Sequence, residues 1–121
     1  MTQEDSRELL LRDLCARLPY HIRLKVLLKD GTTEEGVLDL KHNYGDVLRD
    51  AFYYNKIIDI KPYLFPLSSM TEEQQANLTK FVSNGIHGEN ILYDWYNKNH
   101  FDYRGLIPMG LAIDATGLNI Y

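Results

Sequence analysis

The chain has 121 residues, 45% of them hydrophobic and 25% charged, with 13 Lys and Arg against 17 Asp and Glu for a formal net charge of −4. One domain of this length buries roughly two thirds of its unfolded surface around a single core, and the ordinary composition fits a globular chain rather than a disordered or fibrous one. The acidic total argues against a surface that tracks nucleic acid, which needs a basic footprint to release counterions.

Any basic patch is expected to be local, because 10 of the basic residues fall between Met1 and Lys61. The lone Cys15 has no internal disulfide partner, which points to a reducing compartment. The opening MTQEDSRELLLRDLC sets charges on both sides of a short leucine run and does not read as a secretory leader. No apolar stretch approaches the length that spans a bilayer. The expected location is the cytoplasm. Nine tyrosines suit half-buried positions and interfaces, since each joins apolar area to a polar tip.

In chain order, Thr2 to Leu18 reads as a helix with Thr2 and Asp5 as its capping pair. Leu11, Leu14, Cys15 and Leu18 fall at helical spacing, with Leu10 widening the stripe, so Cys15 is expected in the core. Pro19 ends the helix. Tyr20 to Lys29 alternates as a half-buried strand. Ile22, Leu24, Val26 and Leu28 face inward; His21, Arg23, Lys25 and Lys29 face outward. A hairpin follows. A three-residue loop Asp30-Gly31-Thr32 sets Leu24 opposite Leu38, Ile22 opposite Leu40 and Arg23 opposite Asp39; a two-residue loop puts Asp39 on the core face and is disfavoured. A bulge at Gly36 reaches a similar arrangement.

HNYGD reads as a loop, Val47 to Tyr54 as a third strand or a short helical turn, and Asn55-Lys56 as a tight turn. Ile57 to Lys61 reads as a further strand running into PYLFPL, where Pro62 and Pro66 favour edge or extended backbone. Thr71 with Gln74 opens a helix, with Leu78, Phe81 and Val82 as its buried stripe and Asn84-Gly85 as its stop. Glu89 to Asn99 is a second helix burying Trp95. The expected class is α+β. It comprises an N-terminal helix, a small twisted antiparallel sheet able to curl into a partly open barrel, two C-terminal helices and a closing extended segment.

Catalytic signals are weak. His21, His42, His87 and His100 lack metal-ligand spacing and are expected at the surface. Ser68-Ser69 suits a helix cap, and no nucleophile elbow accompanies it. Glu34-Glu35 and Glu72-Glu73 read as solvated charge. No cofactor is implied. The stretch KNHFDYRGLIPMG reads as a clasp in which Phe101, Tyr103, Leu106 and Ile107 fill the core gap, Asp102 and Arg104 share a face and pair, and Gly105 permits a turn. Its polar residues Asp102, Tyr103 and Arg104 are also candidate binding residues, since loops on a rigid scaffold carry recognition. The cations Arg23, Lys25, Lys29 and Lys61 are candidates for an anion-binding or acidic-partner surface.

The blocks LLLRDLCARLPY, IKPYLFPLSSMTEEQ and HFDYRGLIPMGLAI resemble an uncharacterised family of small proteins encoded by phages, prophages and mobile elements of gut Bacteroidales. The resemblance implies a small accessory protein and carries no catalytic residue. The expected function is therefore a non-enzymatic binding or adaptor protein acting through protein–protein contacts. The alternative is a sponge or sensor for an anionic small molecule such as a nucleotide signal. The expected partner is a protein, host or self; nucleic acid and membrane are not expected. Homo-oligomers are favoured by exposed tyrosines and an open strand edge around Tyr63 to Leu67, and residues TGLNIY are expected to fray or to dock on a partner.

Overall fold

Thr2 caps helix α1 (Gln3–Arg17) reciprocally: its hydroxyl accepts from the Asp5 N–H and the Asp5 carboxylate accepts from the Thr2 N–H, each at 3.1 Å. The computed structural model to which this helix belongs describes residues 2–38, 57–84 and 89–121. The buried face of α1 is Leu10, Asp13, Leu14 and Arg17. This is a correction to the expected stripe, which is rotated by one position: Cys15 is exposed rather than core. Asp13 and Arg17 stand at i and i+4, neighbours on a helix surface. Each compensates the other's charge, so two polar residues occupy core positions that an apolar pattern assigns elsewhere.

After a 3₁₀ turn at Leu18–Tyr20, β1 (Ile22–Leu28) alternates as expected, with Ile22, Leu24 and Val26 buried and Arg23 and Lys25 exposed. It pairs antiparallel with β2 (Thr33–Leu38) in the register Ile22↔Leu38, Leu24↔Gly36 and Lys25↔Glu35. The hairpin has the expected three-residue loop, but the loop is Lys29-Asp30-Gly31, closed by Leu28 N–H to Thr32 C=O at 2.9 Å and Gly31 N–H to Leu28 C=O at 3.0 Å. Gly31 has φ +88°, so it takes the left-handed last position of such a loop. Asp30 Oδ1 accepts from the Thr32 N–H and hydroxyl at 2.9 and 2.6 Å. Starting the loop one residue earlier slides the register by two, so faces are preserved, and Arg23 stands opposite Val37 rather than Asp39.

The next strand, β3 (Ile57–Pro66), is long and central rather than an edge. It pairs antiparallel with β1 through Leu24↔Pro62, Lys25↔Lys61 and Val26↔Ile60. Two short strands lie parallel to it: β4 (Phe101–Asp102) beside Phe65–Pro66, and β5 (Ile113–Asp114) beside Tyr63–Leu64. The described sheet is therefore mixed and is not closed into a barrel. Pro62 is accommodated because its missing N–H would face the edge where β5 starts to pair only at Tyr63. The expected open edge at Tyr63 to Leu67 is thus taken up by the chain's own strands. Residues 39–56, which hold the expected loop, third strand and tight turn, lie outside the described residues, as do His42 and His87.

Leu10 and Leu14 of α1 meet Ile22, Leu24, Leu38 and Leu64 of the sheet in one cluster, closed by Leu106 and Ala112. Helix α2 (Glu72–Asn84) opens on the expected box, Gln74 N–H to Thr71 Oγ1 at 3.1 Å and Thr71 N–H to Gln74 Oε1 at 2.9 Å. Its expected buried stripe is not buried: Leu78 is half-buried, and Phe81 and Val82 are exposed. Its chief neighbour among the described elements is α3 (Glu89–Lys98) rather than the sheet. Trp95 of α3 is buried and lies flat on Phe101, ring centroids 5.6 Å apart and planes 6° apart.

Candidate functional site

The polar residues of the closing clasp are spent on the fold. Asp102 is buried, and its two carboxylate oxygens accept from the Leu106 and Ile107 N–H groups at 2.8 Å each. Gly105, at φ +77°, lets the chain turn back to present those donors. Asp102 and Arg104 therefore do not pair as expected. The Arg104 Nε instead donates to Asp13 Oδ1 at 3.2 Å, and its guanidinium sits 5.0 Å from the centroid of the Tyr103 ring. Arg17, wholly buried, completes the cluster. It donates to both Asp13 oxygens at 2.9 and 3.2 Å and to the Phe101 carbonyl at 2.7 Å, while its Nη1 has no hydrogen-bond partner among the described residues. Tyr103 also stacks on Tyr93 and Tyr96.

The outer face of the sheet is arranged differently. Alternation along β1 puts Arg23 and Lys25 on the solvent side, and the β1–β3 register sets Lys61 beside Lys25. Lys61 lies 3.7 Å from Asp59. Lys29 sits in the hairpin loop and Arg104 in the buried cluster, so of the five candidate cations the structure gathers Arg23, Lys25 and Lys61. Clefts open on this face among the described residues. One, of about 470 Å³, is lined by Arg23, Glu35, Val37 and Tyr63, with Leu118 and Ile120 of the closing residues at its border. Another, of about 310 Å³, is lined by Lys25, Leu27, Thr33, Asp59, Lys61 and Ile113. Tyr63 donates its hydroxyl to Glu35 Oε1 at 2.8 Å. Burial first, and Glu35 second, push its pKa up to about 12, so it keeps its proton.

Two histidines meet at the end of β1. His21 is exposed as expected, but His100 is buried, a correction that follows from its backbone: its carbonyl accepts the Phe65 N–H at 2.8 Å and draws it into the sheet. Both have positive φ, +61° and +65°. Their rings stand edge to face at 5.3 Å, and the Tyr121 ring stacks on His100 with centroids 3.6 Å apart and planes 13° apart. The Tyr121 hydroxyl accepts from the Arg23 N–H and donates to the Tyr63 carbonyl, both at 2.8 Å. Extending the β1–β3 register by one pair would set Arg23 against Tyr63, so this hydroxyl bridges the ladder where the two strands part. The closing residues thus dock on the chain itself rather than fraying. Sequence reasoning missed this site because its parts are a lone histidine from each of two turns and a tyrosine 21 positions beyond the second, with no local spacing in common.

No three or more His, Cys, Asp or Glu side chains gather to hold a metal ion among the described residues, and no described helix is long and apolar enough to cross a membrane. Comparison of the chain with protein-family models, curated proteins and solved structures finds no match.

Proposed function

We propose that the chain is a non-enzymatic accessory binding module, of the phage or mobile-element type its sequence blocks imply, that engages another protein through the outer face of its sheet. The observation that supports this best is the cleft of about 470 Å³ between that face and Leu118 and Ile120. Its lining combines one cation, one anion, a tyrosine and apolar side chains. Such a mixture matches a protein surface, whose contacts join apolar area to scattered hydrogen bonds, better than it matches a polyanion. By contrast, Asp102 and Arg104 are already committed within the fold.

Charge reversal tests the assignment. Arg23 and Lys25 are exposed, so Arg23→Glu with Lys25→Glu is expected to leave the unfolding midpoint nearly unchanged while abolishing capture of a specific host protein by the tagged chain. Lys80→Glu on α2 serves as the control and is expected to preserve capture. Undiminished capture by the double variant would remove the outer face as the working surface.

One observation favours a second reading, a site for an anionic small molecule such as a nucleotide. Lys25 and Lys61 are direct cross-strand partners, an arrangement that is destabilising for like charges and that a bound anion would relieve further than Glu35, opposite Lys25, and Asp59, 3.7 Å from Lys61, already do. On this reading a nucleotide at 100 times its dissociation constant raises the stability of the wild type by about 2.7 kcal/mol, read as a thermal shift that Lys25→Ala removes. Flat melting curves across a nucleotide panel would dismiss it.

A further inference from the structure

We propose that the pocket filled by Tyr121 is a recognition site for an unmodified tyrosine side chain presented by a partner polypeptide, with residues 116–121 as its internal, displaceable occupant. This rests on the protein-binding reading above and names the chemistry of the partner's contact residue.

The pocket is built for a phenol. One wall is the flat face of His100, and the His21 and Phe65 rings stand 6.2 and 5.8 Å from the Tyr121 centroid. At the far end a backbone donor and a backbone acceptor, Arg23 N–H and Tyr63 C=O, each lie 2.8 Å from the hydroxyl. A phenylalanine fills the walls but leaves both backbone groups unpaired. A phosphotyrosine has no proton to give to Tyr63 C=O and sets a dianion against that carbonyl. The end groups therefore select a protonated phenol, and Tyr121 retains its proton because burial, the leading cause, raises its pKa well above the usual tyrosine range.

The segment that carries the present occupant is solvent-facing, although Thr116 N–H bonds Asp114 and Leu118 N–H bonds the Ala115 carbonyl. Residues 116–119 are exposed, Leu118 at 48%, and Ile120 is half-buried. Tyr121 itself stays 39% exposed, so one side of the ring remains open to solvent while the other is held. The walls, in contrast, are held in place under strain. His21 adopts φ +61° and ψ +152°, a region that side-chain-bearing residues rarely enter, and His100 has φ +65°. Such conformations persist where the surrounding structure over-determines them, and they gather at ligand sites. His100 Nδ1 is buried in this wall with no hydrogen-bond partner among the described residues. The cleft bordered by Leu118 and Ile120 adjoins the pocket through Arg23 and Tyr63, which gives an incoming chain a path along the strap.

The test uses the full chain carrying Tyr121→Ala and a fluorescently labelled peptide TGLNIY. The variant is expected to bind this peptide saturably, about tenfold or more tightly than the peptide ending in phenylalanine, since two hydrogen bonds are at stake. The phosphotyrosine peptide is expected not to bind. The wild type is expected to bind the tyrosine peptide at least about tenfold more weakly than the variant does, because its own strap occupies the site most of the time. Equal binding of the tyrosine and phenylalanine peptides, or no binding by a folded variant, would overturn the proposal. If Tyr121→Ala does not fold, the wild type is titrated with peptide and followed by the Arg23 amide and His100 ring resonances. Saturable shifts with the tyrosine peptide alone support the site, and none up to millimolar peptide sink it. Loss of host capture on Arg23→Glu with Lys25→Glu, together with absent peptide binding, leaves the protein-binding reading standing and removes only this inference.

Discussion

Asp13→Leu is expected to lower the unfolding free energy by about 3–5 kcal/mol, the range for stripping one partner from a buried ion pair, and to appear as a lower urea midpoint. The Asp13 carboxylate is wholly buried and is shared by the Arg17 and Arg104 guanidinium groups. Without it Arg17 keeps one hydrogen-bond partner among the described residues, the Phe101 carbonyl, with the Tyr103 ring 5.4 Å away, and its positive charge stays in the interior. Arg104 suffers less, since its side chain is 23% exposed and can turn to water. Against a total of about 5–15 kcal/mol for a domain of ordinary stability, the loss removes from about a fifth to all of it. Adding Arg17→Met is expected to restore about half of the loss or more, because an apolar pair of similar volume needs no compensation. Recovery is incomplete because the Phe101 carbonyl then loses its donor, at about 1–3 kcal/mol for an unsatisfied buried group. A double variant less stable than Asp13→Leu alone would contradict this account of the cluster.

The same cluster explains why the clasp and the outer face have different roles. Asp13 and Arg17 belong to α1, whereas Phe101 and Arg104 lie 84 and 91 positions beyond their partners. Their contacts tie the first helix to the closing segment, and Asp102 locks the turn that delivers Leu106 to the core. Polar groups used in this way cannot be released to a partner without opening the interior. Arg23 and Lys25 can be, because they stand on a strand already fixed by Leu24 beneath them and by pairing on both edges.

What was legible in the sequence is what local spacing decides. The Thr2–Asp5 and Thr71–Gln74 boxes, the inward and outward faces of β1, the three-residue loop and the burial of Trp95 all depend on residues within a few positions of one another. The remaining features rest on polar pairings that an apolar period does not register, or on contacts between distant residues. The α1 stripe was rotated because Asp13 and Arg17 neutralise each other, which an apolar period cannot register. From spacing alone β3 reads as an edge, because the harmlessness of Pro62 depends on where β5, some fifty positions later, begins to pair. The parallel strands β4 and β5 have two residues each, too few for any alternation. Arg23, Lys25 and Lys61 were legible as site candidates through the period-two pattern. Asp102 and Arg104 do not meet each other because their partners are a turn's backbone and helix α1, far away in the chain.

His100 is expected to make stability fall as the medium is acidified from about pH 6.5, well before most carboxylates titrate. Burial first, then the nearby His21 and Arg17 charges, hold its pKa down to about 3 from the usual 6.5. The folded chain therefore carries a neutral imidazole under the Tyr121 ring where the unfolded chain carries an imidazolium. Below pH 6.5 the unfolded state binds the extra proton, so stability declines with falling pH, and the decline from this residue ends near the folded value. Between pH 6.5 and 4.5 the expected loss is about 2–3 kcal/mol at 1.36 kcal/mol per pKa unit. The carboxyls of Asp5, Asp30 and Asp114, held low chiefly by hydrogen bonds to Thr2, Thr32 and Thr116, lose their contributions only below the ordinary carboxylate range, so the two windows separate. His100→Asn is the matching variant, since asparagine tolerates positive φ and does not titrate. It is expected to be less stable at neutral pH through loss of the stack on Tyr121, yet to show a flatter urea midpoint between pH 6.5 and 4.5. Parallel profiles for the wild type and the variant across that window would show that the imidazole under Tyr121 is not the group that protonates on unfolding.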